Sequence, residues 1–330
     1  MTEALRYLTE KDVVAALTIP RAIEALQRML VAQARDGARN VPKALATWGD
    51  GSSMHALGSV QPGGYAGFKT WVHTKAGGGS LFSLFDADTG LLRAVIEARA
   101  LGMLRTAAIS GVATRALAPE SATQAALIGT GPQAVTQLAA LAAVRPLQRV
   151  RIHSPTPEKR RAFVAAVAGK YAFAIEESPT LEHALAGAEI VTLITRAVEP
   201  FVDAARLADC RHLNAVGAIL PAKAEFSQDV FERADRVVVD DLENARRGSR
   251  ELRERYGADG AAWDGVAVLG DLLARGETRA PDARLTLFKG MGMGLSDLAM
   301  ARVAYEHARD HGLGVALPPQ TRENLLLAQP

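Results

Sequence analysis

A single cysteine, Cys210, stands in 330 residues, so no intrachain disulfide can form and a reducing cytoplasm is the expected compartment. Charge of one sign is also missing. The 38 Lys and Arg against 36 Asp and Glu leave a formal net charge of +2, and no basic block stands apart from acidic neighbours. Nucleic-acid binding therefore has no electrostatic footprint. No apolar run approaches the roughly 20 residues that cross a bilayer, so no membrane-spanning helix is expected. The start, MTEALRYLTEKDVV, lacks a basic region followed by an apolar core, and no secretory leader is expected. Repeats, low-complexity tracts and Cys/His clusters with metal-ligand spacing are absent as well, so no metal is expected.

What is present suits a soluble globular enzyme: 48% apolar and 22% charged residues, in a chain long enough for two cores. The first part opens as a helix pair. TEKDVVAAL has Thr9 as its cap, and IPRAIEALQRMLVAQARDG begins with Pro20 and closes at Gly37. From Val41 to Leu92, short runs broken by glycine (KALATW, SMHALGSV, YAGFKTWVHT, SLFSLFD) read as strands of one antiparallel or mixed sheet, with DADTG (86–90) as a hairpin-type turn. A long alanine-rich helix, ARALGMLRTAAISGVATRALA, follows, and Pro119 marks a boundary. Beyond Thr123 strands and helices alternate. AALIG, RVRIHS, AEIVTLIT, HLNAVGA and RVVVDD are nearly continuous apolar runs, as in a parallel sheet covered on both faces. SDLAMARVAYEHARDHG is a last amphipathic helix with Ser296 as its cap.

The stretch ALIGTGPQAVTQLAAL (126–141) places Gly129, Thr130, Gly131, Pro132, Gln133 and Ala134 between a strand and a helix. This is the G-x-G-x-x-[GA] form of a dinucleotide fingerprint. Gly129 permits the tight turn, Gly131 lets the backbone approach a pyrophosphate, and Ala134 keeps helix and strand close. The helix N-terminus adds free N–H groups and a partial positive charge, and Pro132 suits the first helical position. A plain strand–turn–helix corner is the alternative; the βαβ units that follow favour the dinucleotide. Its type turns on the end of the next strand, where an acid would hold the ribose 2′-hydroxyl of NAD. RIHSPTPEKRR offers Ser154 and Thr156, then Lys159, Arg160 and Arg161, with no acid before Glu158. Hydroxyls beside cations suit a 2′-phosphate, so NADP(H) is expected ahead of NAD(H), unless those cations form only a solvated helix face.

In YAGFKTWVHTK, alternation puts Lys69, Trp71, His73 and Lys75 on one strand face. Such a face is either solvated or lines a pocket for an anion. Arg105 favours the pocket: it shares a helical stripe with Leu101, Ala108, Ile109 and Val112, and a guanidinium there needs a partner. Its fork suits a carboxylate, whether a ligand's or the protein's own. Arg39 and Lys43, at the start of the strand region, can add to the same positive pocket.

Together, GFK (67–69), LFDADTG (84–90), LRTAAISGVATRALA (104–118), LIGTGPQA (127–134), HLNAVGA (212–218), LGDLLARG (269–276) and TLFKGMGMGLSDLAMARVAY (286–305) resemble the ornithine cyclodeaminase/mu-crystallin family over nearly the whole chain. The resemblance implies an α/β protein with a Rossmann-type doubly wound parallel-sheet domain, 119–295, that binds NAD(P). It also implies an α+β substrate-binding and dimerisation domain, 1–118, completed by a C-terminal helix, 296–330. A homodimer acting at the carbon–nitrogen bond of a small amino or imino acid is implied. By matching motifs, Lys69 takes the place of the family lysine that contacts the substrate carboxylate and assists proton transfer. Arg105 takes that of the carboxylate-binding arginine. Arg39 or Lys43 fills the place of a further family arginine, Arg39 being preferred. Asp297 lies in a matching motif, although an acid beside Ser296 at a helix N-terminus can be simply a cap.

The chain departs from ornithine cyclodeaminases at one place. Those enzymes carry, after the NAVG-type strand, an aspartate that handles the substrate's amino groups; here GAILPAKAEF has Ile219. Isoleucine neither accepts a proton nor holds an ammonium, which argues against ornithine and suits a flat uncharged ring or a short side chain. Glu225, six residues on, is the carboxylate at hand to replace it. The expected activity is therefore NAD(P)H-dependent reduction of a ketimine of the Δ1-pyrroline-2-carboxylate type, with Lys69 as general acid. The nicotinamide is expected near Asn214, Ala215 and Gly217, at the carboxyl end of a strand. Conversion of L-ornithine to L-proline and ammonia is the alternative reaction. A third reading, from another class, is an NADPH-linked small-ligand binding protein with little turnover.

Overall fold

The computed structural model describes residues 4–49 and 51–321. The first part of the chain runs β1 (Leu5–Leu8), α1 (Glu10–Ala16), α2 (Ile19–Arg35), β2 (Arg39–Trp48), β3 (Ser52–Val60), β4 (Tyr65–Thr74), β5 (Gly77–Asp86), β6 (Leu92–Glu97) and α3 (Arg99–Leu117). Thr9 opens α1 with a full capping box, its hydroxyl accepting from the Asp12 N–H while the Asp12 carboxylate accepts from the Thr9 N–H. Thr18 caps α2, which turns Ala22, Ile23, Leu26, Met29 and Leu30 inward at helical spacing. Each large apolar side chain so buried contributes roughly 1.5–3 kcal/mol. Strands β2 to β6 form an antiparallel meander. Its last turn is held by the Asp86 carboxylate, which accepts from the Thr89 N–H and hydroxyl.

The second part runs β7 (Gln124–Ile128), α4 (Ala134–Val144), β8 (Arg149–His153), α5 (Pro157–Val167), β9 (Ala174–Glu177), α6 (Leu181–Leu185), β10 (Ile190–Leu193), β11 (His212–Ala215), α7 (Val230–Arg233) and β12 (Ala234–Val239). It continues with α8 (Leu242–Gly248), α9 (Arg250–Tyr256), β13 (Val266–Val268), α10 (Leu269–Arg275) and β14 (Leu285–Lys289). The eight strands pair in the order β13-β12-β14-β11-β10-β7-β8-β9, all parallel. This is a doubly wound, Rossmann-type sheet whose order reverses between β7 and β10, the place where such folds bind ligands.

The chain then enters α11 (Gly294–Asp310) and β15 (Val315–Leu317). Helix α11 starts two residues before the expected cap: Ser296 lies inside its first turn, its hydroxyl donating to the Met293 carbonyl. The helix also ends at Asp310 rather than running through the C-terminal stretch, and residues 322–330 lie outside the described residues. After it the chain returns as β15, which pairs antiparallel with β1, itself parallel to β6. Among the described residues the first sheet thus has seven strands, in the order β15-β1-β6-β5-β4-β3-β2. Helix α11 packs on β2 to β5 and on α2 and α3. Helix α3 touches α2 on one side and α4 and β11 on the other, so its second half is buried nearly all round. Arg145, just after α4, closes this junction. Its guanidinium donates to the carbonyls of Thr114, Arg115, Ala118 and Pro119 at the end of α3.

Candidate active site

At the strand reversal, a cleft of about 1150 Å³ opens at the carboxyl ends of the second sheet. Gly129, Thr130, Gly131, Pro132 and Gln133 line one wall. Gly129 has φ +117°, and a side chain there would meet the Ile194 carbonyl, whereas Gly131 faces open space. The backbone is therefore bare where a pyrophosphate would lie against the α4 N-terminus, which fits a dinucleotide. Helix α4 begins at Ala134, so Pro132 sits in the turn before it rather than at its first position; Ala134 is buried.

Ser154, Thr156 and Lys159 line the end of the cleft beyond β8. Arg160, expected with them, is turned away. It is 5% exposed, and its guanidinium donates to Glu177 Oε1 at 2.9 Å and to the Ser154 carbonyl at 2.7 Å. It braces the β8 loop against β9 because α5 presents it on the sheet side. The opposite end of the cleft is formed by Thr195, Val216, Gly217, Ile219, Met291 and Gly292. Of these, Gly217 and Ile219 were expected from the sequence.

Across from that end, four elements bring charges together. Lys69, on β4, is 6% exposed, and its Nζ donates to Asp297 Oδ1 at 2.8 Å. Because α11 starts at Gly294, Asp297 is no cap: its buried carboxylate faces the first sheet. Arg105, on α3, brings Nε to 3.7 Å from the same oxygen. Asp297 Oδ2 and Arg105 Nε are both buried and make no hydrogen bond among the described residues. Burial lowers the Lys69 pKa, with Arg105 and Lys43 pushing the same way and Asp297 opposing them.

Lys43 joins this group and Arg39 does not, reversing the preference drawn from the sequence. A bulge between the pairs Val41↔Gly58 and Ala44↔Ala56 contains Pro42 and Lys43, and the extra residue re-aims the strand. Lys43 Nζ stands 5.5 Å from the Trp71 ring centre and Lys69 Nζ 5.1 Å. Partial desolvation, then Arg105, lowers the Lys43 pKa. Arg39 and Lys43 are both exposed, but Arg39 lies at the start of β2, before the bulge that carries Lys43 over Trp71. His55, not singled out from the sequence, stacks on Trp71 at 4.5 Å. Burial, then Lys43, lowers its pKa, and its Nδ1 is buried without a hydrogen bond. His73 is exposed at the far end of β4, outside the group. Three cations, Lys43, Lys69 and Arg105, thus gather around Asp297, with Asp240 also acting on Arg105, and the surplus positive charge suits an anion.

Two further residues occupy places other than those expected. Asn214 is fully buried and donates to Thr114 Oγ1 on α3 at 2.9 Å; it also bonds His212 at 3.1 Å, which bonds Thr286 at 2.8 Å. In a central strand, alternate side chains point into the covering helices. Asn214 therefore ties β11 to α3, and Ala215 is buried beside it, leaving Gly217 as the member of this trio on the cleft. Burial holds His212 neutral, with its pKa near 3. Glu225 is no substitute for the missing aspartate, since both its oxygens are taken by Thr195, Gly217 and Ala218. Asp240, also unforeseen, accepts from the Met291 and Gly292 N–H groups and fixes that loop against Arg105. Burial raises its pKa to about 6.

A parallel sheet with a glycine cradle at its reversal, opposed by a lysine-centred charge cluster, defines a dinucleotide-dependent oxidoreductase. The chain belongs to the ornithine cyclodeaminase/mu-crystallin family, whose model matches residues 65–312. It is 33% identical over 234 residues to a Delta(1)-pyrroline-2-carboxylate reductase of Bacillus cereus, covering 70% of this chain and 71% of the relative. The iminosuccinate reductase of Paracoccus denitrificans is 29% identical over 93% of this chain and 97% of its own. Its structure in complex with NAD+ matches with a TM-score of 0.88 at 26% identity, covering 96% and 100% of the two chains. An archaeal alanine dehydrogenase dimer with bound NAD matches with a TM-score of 0.86 at 26% identity, covering 95% and 99%. Among the described residues, no helix is long and apolar enough to cross a membrane.

Proposed function

We propose that this protein reduces the carbon–nitrogen double bond of a small 2-imino acid or cyclic ketimine of the Δ1-pyrroline-2-carboxylate type. The observation that carries this reading is the excess of Lys43, Lys69 and Arg105 over the carboxylates of Asp297 and Asp240, beside a cleft wall that has Ile219. Arg105 and Lys43 hold the substrate carboxylate. Lys69, with its pKa lowered by burial, releases a proton to the substrate nitrogen while Asp297 keeps it charged until then. A nicotinamide dinucleotide, held along the glycine cradle from Gly129 to Gln133, would supply the hydride. Ile219 offers no carboxylate to steer a second amine, so cyclisation of a diamine is disfavoured.

NADP(H) is proposed ahead of NAD(H), because Ser154, Thr156 and Lys159 line the cleft beyond β8 and include no acid. The chain is further proposed to form a homodimer, as the archaeal alanine dehydrogenase does. Trp48, Met54, Phe68, Val72 and Leu81, on the outer face of the first sheet, are 39% to 52% exposed, an apolar surface of the kind that associates.

The test is a paired assay. One arm follows NADPH and NADH oxidation with Δ1-pyrroline-2-carboxylate and with iminosuccinate; the other looks for proline and ammonia from L-ornithine with NAD+. Turnover in the first arm alone is expected, and Lys69→Met should lower kcat by about 100-fold or more. Proline and ammonia in the second arm would make the protein a cyclodeaminase. Cofactor binding with no turnover in either arm would make it a binding protein.

A further inference from the structure

Glu225 is fully buried, yet it belongs to neither the charge cluster nor the glycine cradle. Its Oε1 accepts from the Thr195 N–H and hydroxyl, both at 2.7 Å, and its Oε2 accepts from the Gly217 N–H at 2.9 Å and the Ala218 N–H at 3.1 Å. Thr195 follows β10 and Gly217 follows β11, so one carboxylate joins the loops that leave two adjacent strands. The loops are pressed together besides: a side chain on Gly217 would lie 2.2 Å from the Thr195 nitrogen and 2.4 Å from Glu225 Oε1. Behind the carboxylate, the Glu225 N–H donates to Glu251 Oε1, which pairs with the fully buried Lys289 Nζ at 3.0 Å. Ser249 holds the other Glu251 oxygen. The clamp is therefore anchored to β14 through Glu251 and Lys289.

Thr195 and Gly217 both line the cleft. The pyrophosphate belongs at the α4 N-terminus and the adenosine beyond β8, which leaves the β10 and β11 loops for the nicotinamide end. We propose that Glu225 is the positioning residue of that end: by stapling the two loops it fixes the surface on which the nicotinamide rests. The adenosine half is held by other residues and is independent of it. This inference rests on the nicotinamide cofactor alone, not on which imine is reduced.

The experiment compares two ligands on the full-length protein and on Glu225→Gln, whose amide nitrogen cannot accept from the backbone N–H groups it would face. NADPH and 2′-phospho-ADP-ribose are titrated calorimetrically, with NADH and ADP-ribose as a parallel pair. The expected result is about tenfold weaker binding of the dinucleotides with less than about twofold change for the ADP-ribose ligands. Equal weakening of both, or of neither, overturns the proposal. Should Glu225→Gln fail to fold, Thr195→Val removes one donor to the carboxylate, and the same split, smaller in size, is required of it; equal effects on both ligands overturn the proposal there too. The readout needs no substrate, so failure of the imine-reductase reading leaves it intact.

Discussion

Burial, Arg105 and Lys43 pull the Lys69 pKa down while Asp297, 2.8 Å away, pulls it up. Replacing Asp297 with Asn removes the upward pull, so the protonated donor is lost at lower pH. The basic limb of the kcat/KM profile for imine reduction should move toward acid by about one pH unit or more; an unmoved limb would mean that Lys69 is not the titrating group. At this scale the sequence was legible in part. Arg105 stood out because a cation on an apolar stripe needs a partner, and Lys69 followed from the pocket that Arg105 favours and from its place in GFK. Asp297 was hidden by the position of the helix start, which decides whether an early acid caps or points inward. Lys43 was among the candidates, but the preference for Arg39 missed the bulge, for which Pro42 inside a strand pattern is the signal. Arg160 and Asn214 misled for one reason: each bonds to an element brought near only by the fold, Glu177 on β9 and Thr114 on α3.

Elements with local signals were readable, and those defined by distant partners were not. Thr9 with Asp12, and Thr18 with Pro20, carry their helix starts in a few residues. By contrast, β1 is four residues long, and its partners lie in β6 and in β15, near the far end of the chain. Nothing local separates such a stretch from the lead into a helix. Helix α3 depends on a remote group in the same way, since its last carbonyls are satisfied by Arg145, which is 8% exposed. Arg145→Met would leave those carbonyls buried and unpaired at the negative end of the helix dipole. The expected loss is about 3 kcal/mol, read as a lower urea midpoint with an unchanged slope.

For the molecule as a whole, two buried groups set opposite responses to acid. His212 has a pKa near 3 in the fold against an ordinary 6.5, so only the unfolded chain takes up its proton between those limits, and stability falls as pH drops. Asp240, near 6 against an ordinary 3.8, is protonated first in the folded state, and stability rises as pH drops through that window. Each acts with a slope of about 1.4 kcal/mol per pH unit, so they cancel between about pH 6 and 4. Below that, His212 continues, joined by Asp229 and Asp235, whose pKa values are lowered by Ser227 and Arg284. Lowered pKa values at His55 and His307 add to the His212 side, so denaturant titrations should find the unfolding free energy falling only gently from about pH 6 to 4 and more steeply beneath. In Asp240→Asn the fall between about pH 6 and 4 should be steeper by about 1.4 kcal/mol per pH unit. The doubly wound order that surrounds His212 was readable from the alternation of apolar runs and helices. The charge states were not, because they follow from burial.

The same partition gives the molecule three optical windows. Trp48 lies on the outer sheet face, Trp71 among the cations of the site, and Trp263 in the core of the second sheet, 1% exposed. These are all the tryptophans of the chain. On the proposed dimer and imine site, single-tryptophan variants would report association, ligand arrival and unfolding from three separate indoles without an added dye.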